Sequence, residues 1–217
     1  MWLAAVLGVG IGLVLNMCAD RLPPFVAAKS FGPRHVARWS ALLLISSGLF
    51  AHLQSMYGWN SVFVVRATYC SLLLLIAVID LEHSLIPNAL VGFGLLVALG
   101  FNALYATPGL AAALWGAAIG GGIFALLAMA RRNALGMGDV KLAFLIGMMT
   151  GFPGVLQALT LGIILGGLAA GLLLLTRVRR AKQYMPYAPY LVAGSMATLL
   201  YGQVITNWYV NLVGSGG

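Results

Sequence analysis

The chain has 217 residues, of which 62% are hydrophobic and 7% are charged, with a formal net charge of +8. A soluble domain carries about a quarter charged residues, so this chain has too little polar surface to cover a water-soluble globule, and its composition is that of an integral membrane protein. The two cysteines, Cys18 and Cys70, sit inside apolar runs, which excludes a four-cysteine zinc site and leaves them as buried apolar side chains.

Residues 2–19 carry no charge and are about long enough to span a bilayer. A signal peptide would have a basic region before its apolar run. Here nothing basic precedes it and Arg21 follows, so the first span is retained, with the N-terminus outside. Residues 20–38 form a short basic loop, in which Pro23 and Pro24 stop the helix. A second span covers 39–56, and Tyr57 to Asn60 is a turn with interfacial aromatics. The third span, 61–79, delivers the chain to Asp80, with Arg66 snorkelling outward. Leu81 to Pro87 is an inner loop; its His83 reads as an interfacial loop residue, and Pro87 starts the next helix. The fourth span is 88–106, Thr107 to Gly109 is an outer turn, and the fifth span is 110–130. Arg131, Arg132 and Asn133 bring the chain back inside, directly before Gly136-Met137-Gly138-Asp139-Val140-Lys141. A sixth span is expected over 139–157, with a break at Gly151-Phe152-Pro153-Gly154. A seventh covers 158–176, a basic loop runs from Arg177 to Lys182, and an eighth span covers 187–206 before a short outer tail. The expected fold class is thus all-α: a polytopic membrane helical bundle of about eight transmembrane helices, one domain over 1–217.

Of the twelve Lys and Arg residues, all but Arg66 fall on one side of this topology. That is the positive-inside pattern, so the positive excess is topological and no nucleic-acid partner is expected. The four acids, Asp20, Asp80, Glu82 and Asp139, fall on the same inner side. Asp80 and Asp139 come out at the same depth, within a paired-acid core over about 61–160. An acid at a membrane boundary is costly and marks a functional site by default. Two adjacent aspartates suit hydrolysis: one takes a proton from water, the other protonates the substrate carbonyl. Two close carboxylates do not both ionise cheaply, so the pair titrates as a unit. Asp80 ends a helix, where the dipole disfavours negative charge. Asp139 opens one, where free backbone donors favour it, so Asp80 is expected to hold the proton more often.

Gly136 and Gly138 lack side chains, so a substrate backbone can approach Asp139, and either can take positive φ. Lys141 either offsets charge near the pair or snorkels to the head groups. Asn16, polar near the inner end of the first span, either bonds to another helix or helps hold Asp80. The spaced glycines Gly8/Gly12, Gly116/Gly120, Gly147/Gly151, Gly162/Gly166 and Gly167/Gly171 read as close helix packing within the chain. A rival reading is a proton-coupled transporter using the same two aspartates. Against it, both acids sit at one face, transporter sites lie near the midplane, and no repeated pair of halves is visible.

Four patches resemble the bacterial type IV prepilin peptidases, members of the wider Gly-x-Gly-Asp class of membrane aspartic proteases. Gly12-Leu-Val-Leu-Asn16-Met-Cys-Ala-Asp-Arg21-Leu22-Pro23 is similar to the family's G-S-F-L-N-V-x-x-x-R-L-P, with Leu13-Val14 in place of Ser-Phe. Asp80-Leu-Glu-His-Ser-Leu-Ile86-Pro87-Asn88 resembles D-x-x-x-x-x-I-P-[DN]. Gly136-Met-Gly138-Asp139-Val-Lys141 matches G-x-G-D-x-K, and Tyr184-Met-Pro186-Tyr-Ala-Pro189-Tyr resembles P-F-x-P-[FY]. The resemblance implies Asp80 and Asp139 as the catalytic pair. It also implies prepilins or pseudopilins as substrates, cut after a short basic leader at the cytoplasmic face of the bacterial inner membrane. The leader's cations would then meet Asp20 and Glu82. Many members carry a four-cysteine zinc module between the first two spans. Here that stretch is a short loop without cysteine, so no metal is expected. Many members also N-methylate the product with S-adenosylmethionine; absence of the cysteines alone does not exclude that activity, and peptide hydrolysis itself needs no cofactor. A second enzyme rival is a different Gly-x-Gly-Asp protease, such as a preflagellin or signal-peptide peptidase; the Asn16/Arg21/Pro23 patch and the lack of a Pro-Ala-Leu stretch favour the prepilin type.

Overall fold

The computed structural model describes residues 2–21, 33–130, 136–176 and 186–214. Among these the regular structure is all helical. In chain order the helices are α1 (Trp2–Arg21), α2 (Pro33–Tyr57), α3 (Ser61–His83), α4 (Asn88–Tyr105), α5 (Leu110–Ala130), α6 (Met137–Thr150), α7 (Gly154–Leu175) and α8 (Ala188–Gly214). Pro23 and Pro24, Arg131 to Asn133, and Arg177 to Lys182 lie outside the described residues.

Seven of the eight helices are long and apolar enough to cross a membrane. The expected sixth span over 139–157 is corrected: α6 has 14 residues, about 21 Å against a hydrocarbon core of about 30 Å. Hydropathy does not see its end, because Gly-Phe-Pro-Gly is itself apolar. The backbone ends it instead. Gly151 sits at φ 65°, a conformation natural to glycine. Its N–H bonds the Gly147 carbonyl at 2.8 Å, and the N–H of Phe152 leaves the helix to bond the Ala112 carbonyl of α5 at 2.9 Å. The expected seventh span therefore begins at Gly154 rather than 158.

Other ends also move. α2 starts at Pro33, a residue suited to a first helical turn. α3 runs past Asp80 to His83, closed by Ser84 in the left-handed region, whose N–H bonds the Asp80 carbonyl at 2.7 Å. α8 takes in most of the expected outer tail.

The helices form two compact units, Met1–Pro87 and Asn88–Gly217. In the first, α1 and α2 pack closely because glycines remove the side chains between them. A Cβ on Gly8 would lie 2.6 Å from the Ser46 carbonyl oxygen, and one on Gly12 would strike the Ser46 hydroxyl. In α3, Tyr69, Leu73, Ile76 and Ile79 are fully buried. Its first turn is capped by Asn60, whose Oδ1 accepts from the Phe63 N–H at 2.9 Å. Arg66 donates to the Tyr57 hydroxyl and lies 4.4 Å from that ring's centroid, so this cation has an aromatic partner within the protein.

In the second unit α5 and α6 make the most extensive pairing. A Cβ on Gly147 would strike the Gly116 carbonyl oxygen, and one on Gly120 would lie 2.7 Å from that of Ala143. α7 and α8 meet similarly, with Gly194 against Gly162 and Ala158. In lipid, where apolar burial does not drive helices together, such backbone-to-backbone contact is what holds them. The small-residue spacing therefore serves packing within the chain at Gly8/Gly12, Gly116/Gly120 and Gly162, while Gly167 and Gly171 face open space. Buried Asn102 pins three elements: its amide donates to the Ala98 and Met148 carbonyls at 2.8 and 3.2 Å, and its Oδ1 accepts from Gly109 N–H at 3.1 Å.

Candidate active site

The environments of the four acids divide them two and two. Asp20, in the last turn of α1, and Glu82, in the last turn of α3, share one guanidinium. Arg38 of α2 donates to Asp20 Oδ1 at 2.6 Å and to Glu82 Oε2 at 2.7 Å. Both carboxylates are about one-third exposed, at 33% and 30%. Asp80 and Asp139, by contrast, are 3% and 5% exposed. His83 stands 3.9 Å from Glu82, so the contact given for it is with the surface acid.

Arg38 is a residue that the motifs alone did not single out. It ties the C-terminal ends of α1 and α3 to the first turns of α2, and its side chain is 9% exposed. Replacing Arg38 with alanine leaves two carboxylates facing each other without their shared cation. The Arg38→Ala variant is expected to lose about 2 kcal/mol of stability, read as a lower melting temperature in detergent; Arg38→Lys, with a single donor head, should recover only part.

Asp80 lies within the last turn of α3, three residues before its end, among fully buried Ile76 and Ile79. Asp139 lies in the first turn of α6. Its N–H donates to the Gly136 carbonyl at 3.0 Å, and its Oδ2 accepts from the Gly136 N–H at 3.3 Å. The carboxylate so satisfies a helix-end donor that has no partner within the helix. Gly136 has φ −75° and ψ 145°, a conformation any residue adopts, and Gly138 belongs to the first turn of α6. The expected positive φ is thus not used at Gly136, and the want of a side chain is the property that remains.

Lys141, two residues after Asp139, donates to Asn88 Oδ1 at 2.8 Å. This joins the Gly-x-Gly-Asp turn of α6 to the first residue of α4, which directly follows Pro87. The lysine is thus held by a protein partner rather than left only to snorkelling. Asn16 is fully buried and its amide donates to Gly12 of its own helix at 3.1 Å.

Tyr187, at the start of α8, is a further residue near Asp139. Its carbonyl accepts from the N–H groups of Tyr190 and Leu191, at 3.1 and 3.3 Å. Its ring lies over Gly166 of α7, where a Cβ would be 2.7 Å away, and 6.4 Å from the ring of Phe124. Burial raises the Tyr187 phenol above its ordinary value, and the charge of Asp139 raises it further. Sequence reasoning reached Tyr187 only as part of a patch, because its partners come from α5, α6 and α7. Among the described residues no group of three His, Cys, Asp or Glu side chains could hold a metal ion.

The fold and these residues define a class: a multi-pass membrane protein with two deeply buried carboxylates in the terminal turns of helices. Residues 67–171, which include both acids, match the type IV leader peptidase family. The chain is 30% identical over 184 residues to "Prepilin leader peptidase/N-methyltransferase" of Bacillus subtilis (strain 168), covering 85% of this chain and 74% of that protein. Proteins of the same name are similar in Stutzerimonas stutzeri (29% over 163 residues, 71% of this chain and 54% of that one) and Pseudomonas aeruginosa (32% over 151 residues, 65% and 51%). The chain thus spans about half the length of these last two. No solved structure matches it. The chain belongs to the type IV leader peptidase family.

Proposed function

We propose that this protein is a membrane aspartic endopeptidase that removes the short basic leader from type IV prepilins or pseudopilins at the cytoplasmic face of the inner membrane. Asp80 and Asp139 are its acid/base pair. The observation that carries the reading is the division of the acids. Arg38 compensates Asp20 and Glu82 near the surface, while Asp80 and Asp139 are buried at helix ends, where ionisable groups in a membrane protein mark function. Family membership favours a peptidase over a transporter, and the relatives' names favour the prepilin type.

In this mechanism one carboxylate takes a proton from water and the oxygen attacks the scissile carbonyl. The partner acid protonates the carbonyl oxygen. Collapse of the tetrahedral diol breaks the C–N bond, with a proton returned to the leaving nitrogen. The products are the leader's new carboxylate and the mature protein's amine. The cap geometry at Gly136 suits Asp139 to the charged role, since a backbone N–H and the helix N-terminus both favour a carboxylate there. Gly136 and Gly138 leave room for the substrate backbone. Asp20 and Glu82 receive the leader's Lys and Arg. Two carboxylates around one guanidinium retain a net negative charge, and both are accessible. Hydrolysis needs no cofactor. N-methylation of the product with S-adenosylmethionine is not part of this reading.

Co-expression with a candidate prepilin tests the reading. The protein is expected to produce a leader-sized mobility shift, and Asp139→Ala none. A shift that persists unchanged in Asp139→Ala would sink the assignment.

A further inference from the structure

In the second unit, Gly116 of α5 meets Gly147 of α6 backbone to backbone, and Gly120 meets Ala143. Each turn forward along α5 is thus matched by a turn back along α6, and the next turn sets Phe124 at the level of Asp139. Both residues are buried, on the faces that these helices turn to each other. The ring of Tyr187 stands 6.4 Å from the ring of Phe124. In the other helix pair Gly162 meets Leu191, and Gly166 meets the Tyr187 ring, whose Cε2 would lie 2.7 Å from a Cβ there. A phenylalanine on α5 and a glycine on α7 so hold one phenol at the Asp139 turn.

We propose that Tyr187 is a further catalytic residue, whose hydroxyl donates a hydrogen bond to the carbonyl oxygen of the peptide bond cut at Asp139. The inference rests on the peptidase reading and on three features of this tyrosine. The first is place. Water activated by Asp139 attacks a carbonyl carbon directly beside it, so the substrate carbonyl stands in the space that the Tyr187 ring borders. The second is the hydroxyl, which has no hydrogen-bond partner among the described residues although the side chain is only partly exposed. A hydroxyl at the edge of apolar packing costs free energy unless something bonds to it, and a ring that served packing alone needs none. The third is chemistry. A phenol titrates at about 10, and burial and the charge of Asp139 raise this one further, so it is a donor at neutral pH and transfers no proton. Negative charge gathers on the carbonyl oxygen as water attacks. The partner acid protonates that oxygen through one lone pair, and the phenol bonds to the other. A donor already in place stabilises that charge without reorganisation.

Steady-state cleavage of a purified prepilin tests this. Tyr187→Phe is expected to lower kcat about a hundredfold, the scale of losing one preorganised donor, with KM and melting temperature unchanged. Phenylalanine keeps the ring against Phe124 and Gly166, so a purely structural Tyr187 would leave kcat as it was. Tyr190, one turn further along α8 at the level of Gly162, is the control, and Tyr190→Phe should change neither constant. Gly166→Ala displaces the ring and leaves the hydroxyl on it. It should cost roughly tenfold in kcat in the parent chain, the effect of a misplaced group, and nothing further in the Tyr187→Phe chain. An unchanged kcat in Tyr187→Phe, a loss that falls on KM alone, or a Gly166→Ala loss as large in Tyr187→Phe as in the parent would overturn the inference. A parent protein that cuts beside an unaffected Tyr187→Phe strikes this inference only; a parent that cuts no prepilin strikes the peptidase reading, and this inference with it.

Discussion

Asp139→Asn and Asp80→Asn are each expected to lower prepilin cleavage by at least about a thousandfold, the upper range for removal of a general acid or base. Asparagine keeps the volume of aspartate. At position 139 its side-chain oxygen can still accept from the Gly136 N–H, so the start of α6 is retained. The variants should therefore express and melt like the parent, and the loss should fall on kcat. A carboxylate that served only as a helix cap would behave otherwise: its amide replacement would cleave at nearly the parent rate. With both acids present, the rate should follow a bell-shaped pH profile belonging to the pair rather than to either residue. Steady-state kinetics on the two amide variants, beside their melting curves, separate these cases.

Gly147→Val is expected to have the second large effect, and on the fold. The Cβ of any residue at 147 would strike the Gly116 carbonyl oxygen, and that oxygen belongs to a helix backbone that cannot turn aside. α5 and α6 must separate or shift, which costs about 3 kcal/mol. Asp139 rides on α6, so cleavage should fall with stability although Gly147 is two turns from the acid. Gly122→Ala is the contrasting case. It meets nothing within 4 Å, and alanine is the better helix former, so the variant should be neutral or slightly more stable. Thermal unfolding in detergent and the yield of membrane-inserted protein would show the difference. A Gly147→Val protein that folds and cleaves normally would refute the close α5–α6 contact.

How far these features were legible in the sequence depends on the range of the interactions that set them. The long helices were legible, because each is an uninterrupted apolar run bounded by charge, proline or a glycine turn. The break at Gly151 to Gly154 was legible, but the sixth span was carried seven residues past the end of α6, because 142–156 holds no charged residue. The break is written in the φ of Gly151 and in a hydrogen bond from Phe152 to Ala112, forty residues earlier. α3 was ended too early because Asp80 looks like a boundary in a hydropathy pattern, whereas Ser84 supplies the actual cap.

The candidate site shows the same division. Asp80 and Asp139 stood out as rare acids beside apolar runs and through the resemblance. Their difference from Asp20 and Glu82 did not, because it depends on Arg38, placed by α2 packing against α1 and α3. Asn88 and Tyr187 lay in recognised patches without a role, since the partner of one is Lys141 and the surroundings of the other come from three helices. The glycine spacings were legible as packing, but only the structure distinguishes Gly147, which cannot carry a side chain, from Gly92, which can.

The central claim is that Asp80 and Asp139 act as one pair. It is tested most directly by placing cysteines at both positions in a chain whose Cys18 and Cys70 have been replaced by serine. A short bifunctional thiol reagent, matched to carboxylates that share a proton at roughly 3 Å, is then applied in the membrane. The account predicts an intramolecular crosslink between positions 80 and 139. If a monofunctional reagent labels each cysteine alone but the double variant gives no crosslink, the two aspartates do not form one site and the account is wrong.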